Sequence, residues 1–115
     1  MKQLKNCIKL SSRITIYVPA TINANEQADN SEQVDKTASF LASCFGGATS
    51  SPAVGYWLSA SHGLIRENTT IVFAYAEQSE LEKNVDSLVE YCENLKLEMG
   101  QESIALEING EMYFI

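Results

Sequence analysis

The residues best suited to chemistry in this chain crowd into one stretch. From Phe45 to Tyr75 it reads FGGATSSPAVGYWLSASHGLIRENTTIVFAY, joining a helix end, a glycine pair, an aromatic run and a β-branched strand with almost no spacer. Gly46 and Gly47 allow a ligand close to the backbone, and Thr49, Ser50 and Ser51 add hydroxyl donors. This is no P-loop, because the GxxxxGK[ST] spacing is absent and the loop follows a helix instead of opening one. Tyr56 and Trp57 are neighbours on a strand and point to opposite faces, so one joins the core and the other is left to stack on a ring or a partner. Arg13 and Arg66, the two arginines of the sequence, suit two-pronged recognition of phosphate. With Thr69 and Tyr75, these residues form the expected ligand-binding set: Gly46, Gly47, Thr49, Ser50, Tyr56, Trp57, Arg66, Thr69, Tyr75 and Arg13. Plainer roles stand beside it: a helix cap and turn, a core ring, a subunit contact, an ion pair between Arg66 and Glu67.

No recognisable catalytic set accompanies these parts. His62 sits in a four-residue turn, without a local carboxylate and nucleophile to make it a general base. Asp29, Asp35, Glu90 and Glu93 read as solvated faces. Cys7, Cys44 and Cys92 are widely spaced and in no CxxC pattern, so they read as reduced thiols and not as a disulfide framework. One histidine and three scattered cysteines do not supply a zinc site. Catalytic residues, metals and cofactors are therefore none at this level, and binding is expected before catalysis.

Composition narrows the partners. A chain of 115 residues, 45% hydrophobic, is expected to be one domain over 1–115 with a core of its own, residues 1–11 forming a flexible arm. A net charge of −7 argues against polymeric nucleic acid and anionic membrane, which need clustered Lys and Arg. A small anionic ligand is still admitted, since one arginine and a few amides can hold a phosphate. No apolar run approaches the roughly 20 residues that span a bilayer, and MKQLKNCIKL lacks the apolar centre of a signal peptide. A cytoplasmic location is expected.

The elements that position these residues follow from periodicity. Residues 12–18 alternate, with Ile14, Ile16 and Val18 on one face and Arg13, Thr15 and Tyr17 on the other. Residues 21–31 form a long polar connection. Asn30 or Ser31 caps a helix whose stripe is Val34, Ala38, Leu41 and Phe45, and Gly46 ends it. Residues 53–59 are a strand, a turn follows at 60–63, and a bulge at Glu67-Asn68 precedes the strand 69–76. Ser79 and Glu82 form a capping box for a second helix, with Leu81, Val85, Leu88, Cys92, Leu95 and Met99 inward and Gly100 at its end. Asn109-Gly110 closes a C-terminal hairpin, and the apolar terminus is tucked into the sheet or covered by another subunit. The order β-α-β-β-α-β-β predicts an α+β two-layer sandwich, two helices on one face of a mainly antiparallel sheet. The other face carries Tyr17, Thr15, Tyr56 or Trp57, and Tyr113.

The strand ITIYVPAT, the FGGAT, GYW and GLIRENTTIVFAYA segments and the ending ALEINGEMYFI together resemble the phage anti-Thoeris signal-sponge family over residues 12–115. That resemblance implies a phage counter-defence protein in the host bacterial cytoplasm. It would bind and sequester a cyclic ADP-ribose-type or cyclic nucleotide signal without cleaving it, as a homodimer or higher homo-oligomer. The expectation from the sequence is thus a sponge and not an enzyme. Two alternatives stand beside it: a small cofactor-independent enzyme using His62, Glu67 or Tyr75, and a protein–protein inhibitor acting through the aromatic sheet face.

Overall fold

In the computed structural model, residues 1–22 and 26–115 are described. Among them the chain forms two α-helices, α1 (Ser31–Phe45) and α2 (Gln78–Met99), and seven strands. The strands are β1 (Ser12–Pro19), β2 (Thr21–Ile22), β3 (Glu26–Gln27), β4 (Thr49–Ser59), β5 (Gly63–Ala76), β6 (Ala105–Ile108) and β7 (Glu111–Phe114). The main sheet has the order β4-β5-β1-β6-β7, every pair antiparallel. The α+β sandwich expected from the sequence is the architecture observed. Inside the long connection lies a small β2–β3 ribbon, which that reading had as irregular chain; its residues 23–25 lie outside the described residues.

The core lies between the helices and one face of the sheet. Ile14, Ile16 and Val18 of β1 sit opposite Ala74, Val72 and Thr70 of β5, and Ile14 and Ile16 opposite Ile108 and Leu106 of β6. Against this apolar face pack Leu41 of α1 and Leu81, Leu88, Cys92, Leu95 and Met99 of α2. The helical stripes at spacings of three and four thus land where the periodicity put them. Between the helices, Tyr91 stacks on Phe40 at 4.3 Å, and its hydroxyl meets buried Thr37 Oγ1 at 2.7 Å. Burial pushes the Tyr91 hydroxyl above its ordinary pKa, with the Thr37 bond acting in the opposite sense.

Three local expectations are corrected. Asn30 stands at the N-cap position of α1 but makes no side-chain cap bond; its amide donates to the carbonyls of Val18 and Pro19 and to Thr70 Oγ1, tying the helix start to β1 and β5. Ser79 lies inside α2, whose N-cap is Glu77 in extended conformation, because the helix begins immediately after β5. No bulge occurs at Glu67-Asn68: the register runs unbroken from Ser59↔Gly63 through Val54↔Asn68 to Thr49↔Phe73. The Asn-Gly turn forms as expected, with Asn109 at φ 52 and Gly110 at φ 85. Asn109 also accepts a hydrogen bond from the Arg13 amide at 2.8 Å and donates its own amide to the Arg13 carbonyl at 2.9 Å. At the C-terminus Ile115 pairs both backbone groups with Ile104, so that end is tucked in, while the Phe114 side chain is 73% exposed.

Candidate functional site

Strand alternation and register assign the side chains of the face that no helix covers. They are Thr49, Ser51, Ala53, Gly55 and Trp57 on β4, and Ile65, Glu67, Thr69, Ile71, Phe73 and Tyr75 on β5. Arg13, Thr15, Tyr17 and Pro19 follow on β1, then Ala105 and Glu107 on β6, and Met112 and Phe114 on β7. Tyr113 had been expected here, but it pairs with Leu106 and so projects to the helix side, its hydroxyl donating to Glu111 at 3.1 Å. Thr15 is on the open face yet only 1% exposed.

Two hollows interrupt this face. One, about 210 Å³, is lined by Tyr17, Pro19, Gly55, Glu67, Asn68, Thr69, Gln101, Ser103, Ile104, Ala105 and Phe114. Its lining joins small strand residues, Gly55, Thr69 and Ala105, with the aromatic residues Tyr17 and Phe114. Glu67 is the only acidic residue of this lining, just beyond the end of β1, where Pro19 pairs with Thr69. Thr69 Oγ1 donates to the Val18 carbonyl at 3.0 Å, which holds β5 in place beside that end. The far wall is fixed by Gln101, whose amide donates to the Thr21 carbonyl at 2.9 Å and the Met99 carbonyl at 3.2 Å. No ion pair among the described residues uses Glu67.

The second hollow, about 480 Å³, is lined by Leu10, Phe45, Gly46, Gly47, Ala48, Thr49, Phe73, Ala74 and Tyr75. Beside it the Arg13 guanidinium lies over the Phe73 ring at 4.5 Å and the Tyr75 ring at 5.8 Å, its Nε donating to Thr15 Oγ1 at 3.4 Å. Cation–π contact of this kind contributes about 0.5–1 kcal/mol near the surface and orients the side chain. On β5 the first hollow takes Glu67 to Thr69 and the second takes Phe73 to Tyr75, so the two are separate places along one strand.

The fold therefore divides the expected ligand set. Gly46, Gly47, Thr49 and Tyr75 meet in the second hollow with Arg13 beside them, and Thr69 belongs to the first. Ser50 faces the helix side opposite Val72. Tyr56, Trp57 and Arg66 lie far out on the β4–β5 hairpin, Tyr56 opposite Arg66 and Trp57 opposite Ile65. Neither ring enters the core, as one was expected to: Tyr56 is 58% and Trp57 51% exposed, because the hairpin runs past the ends of both helices. His62 is exposed at the hairpin tip, its Nδ1 2.7 Å from Ser61 Oγ. Tyr17, Gly55 and Phe114 were not among the expected contacts. A glycine inside a strand and a carboxylate at the start of a β-branched run are the signals that could have pointed to this place.

No group of His, Cys, Asp and Glu among the described residues is arranged to hold a metal ion. The Cys92 thiol, buried under the sheet, is pushed up to about 12 by desolvation. No described helix is long and apolar enough to cross a membrane.

No family model matches the chain, and no curated protein matches it. Two solved structures share the fold. A phage SAM lyase in complex with S-methyl-5′-thioadenosine covers 97% of this chain and 95% of its own at 17% identity, with a TM-score of 0.66. A phage SAM lyase in the apo state covers 96% and 93% at 16% identity, with a TM-score of 0.67. At such identity the likeness is one of fold. It corrects the functional expectation: the solved neighbours are a phage SAM lyase, not a cyclic ADP-ribose sponge. The expectation of a non-enzyme is corrected with it, since these neighbours agree better with the enzyme alternative, which named His62, Glu67 or Tyr75.

Proposed function

We propose that this chain is a phage enzyme that binds S-adenosylmethionine inside the infected cell and cleaves it to S-methyl-5′-thioadenosine. One observation carries the reading: an acidic residue, Glu67, lines one hollow together with Tyr17, Phe114 and several small residues, on a fold whose solved neighbours are a SAM lyase. The substrate is a sulfonium with an α-ammonium and a carboxylate, so aromatic faces and an acid suit it. The chain's charge of −7 favours the approach of a cation-bearing ligand as well.

Cleavage breaks the bond between sulfur and the γ-carbon of the amino-acid moiety. The bonding pair goes to sulfur, which leaves as a neutral thioether. The electron-poor carbon is satisfied by the fragment's own carboxylate oxygen, closing a lactone, or the fragment loses a β-proton to a base and becomes an alkene. In either route the positive charge on sulfur disappears in the transition state. A carboxylate paired tightly with that sulfur would stabilise the ground state more and slow the step. Glu67 therefore serves better by holding the α-ammonium, which keeps its charge throughout, and so fixing the fragment in a reactive pose. The Arg13–Tyr75 hollow remains in the proposal as a second patch suited to an anionic group. Self-association is part of it too, through the apolar hairpin residues Tyr56, Trp57, Leu58 and Leu64, all more than half exposed. Incubation with S-adenosylmethionine, followed by mass analysis of both fragments, tests the reading and tells lactone from alkene.

A further inference from the structure

Gly55 has no reason in the fold to be a glycine. Gly46, Gly63, Gly100 and Gly110 have positive φ, which favours glycine; Gly55 does not. It lies in the middle of β4, paired with Glu67, where a side chain would normally strengthen a strand. A Cβ built on it would meet only the Glu67 carbonyl, at 3.8 Å, an ordinary contact distance. The backbone tolerates a Cβ, so the missing side chain leaves space for something else. That space belongs to the hollow that Glu67 also lines, the two residues being paired on the same sheet face.

We infer that Gly55 is a specificity-determining residue: the bound ligand lies directly on its backbone, and this contact admits a sulfonium-bearing nucleoside as far as Glu67. The inference rests on the proposed reaction and adds to it the surface that limits substrate size. A β-branched side chain at this position would fill that space from β4 and hold the ligand off the acid. Because valine suits a strand better than glycine does, the same change leaves the fold as stable or more so. Affinity and stability then move in opposite directions, which a merely structural glycine would not produce.

The test compares Gly55→Ala, Gly55→Val and Ala53→Val, the last on the same face of β4 but outside this hollow. Calorimetric titration with S-methyl-5′-thioadenosine and thermal melting are run on each. The expected result is a Kd raised about tenfold or more by Gly55→Val, a loss of about 1.4 kcal/mol, with Tm unchanged or higher. Gly55→Ala falls between wild type and Gly55→Val, and Ala53→Val binds as wild type. In turnover with S-adenosylmethionine, Gly55→Val raises KM more than it lowers kcat. Wild-type affinity in Gly55→Val overturns the inference. So does a clearly lowered Tm, since the glycine would then serve the fold. A wild-type chain that neither binds the thioadenosine nor cleaves S-adenosylmethionine brings down the proposed reaction, and the inference with it. The two failures are thereby told apart.

Discussion

At the scale of single residues, Glu67 and Arg13 show how differently two charged side chains can be placed on one sheet face. Arg13 is held: its guanidinium rests on two rings, and its backbone is clamped by Asn109. Glu67 instead lines a hollow with no ion pair among the described residues. Glu67→Gln keeps the shape and removes the charge, so kcat should fall on the order of 100-fold or more, with affinity for the uncharged thioadenosine product nearly unchanged. Steady-state kinetics beside calorimetry read the two effects separately. Cys92 offers a pH test of a different kind. Its thiol pKa is raised from 9.0 to about 12 in the folded chain, so from about pH 9 upward the unfolded chain releases this proton while the folded chain keeps it. The contribution is fully present below pH 9 and is lost as pH rises toward 12, at up to about 1.4 kcal/mol per pH unit. Denaturant melts at pH 8, 9 and 10 should show the decline, and Cys92→Ala should flatten it.

At the scale of elements, what could be read in the residues was whatever depends on periodicity and on turn chemistry. The stripe from Leu81 to Met99 and the alternation of Ile14, Ile16 and Val18 imply burial because helix and strand geometry leave no other face for them. Asn109-Gly110 implied its turn for a similar reason, two adjacent residues tolerant of positive φ. Features that depend on a neighbour were not readable. Asn30 looks like a cap but spends its amide on β1 and β5, and Ser79 looks like one until β5 is seen to run straight into α2. Thr49 to Pro52 read as loop, yet β4 is an edge strand, where a proline can keep its missing N–H away from the ladder. The tie made by Asn30 predicts that Asn30→Ala destabilises the domain by about 1–2 kcal/mol, since the Pro19 carbonyl loses this donor while the Val18 carbonyl keeps Thr69 Oγ1. Chemical denaturation with an unchanged m-value would confirm that only this tie was lost.

The whole molecule is elongated, 53 × 27 × 21 Å, because the β4–β5 hairpin reaches well past the two-layer body. That shape explains why the site was only partly legible. The Phe45–Tyr75 stretch does hold Gly55, Glu67 and Thr69, but Tyr17 and Phe114 reach the same hollow from strands near opposite ends of the sequence. Nothing local announces that meeting. The hairpin also leaves Tyr56, Trp57, Leu58 and Leu64 in solvent, so Trp57→Ser with Leu58→Ser should lower the molar mass seen in sedimentation equilibrium while the circular dichroism stays native. An unchanged mass would remove the hairpin from any assembly. The proposed reaction breaks the ligand and does not keep it. Incubation of the purified chain with a hundredfold excess of S-adenosylmethionine should yield far more S-methyl-5′-thioadenosine than there are protein chains, and Glu67→Gln should yield little. Substrate recovered whole from the wild-type chain, bound or free, would contradict the account.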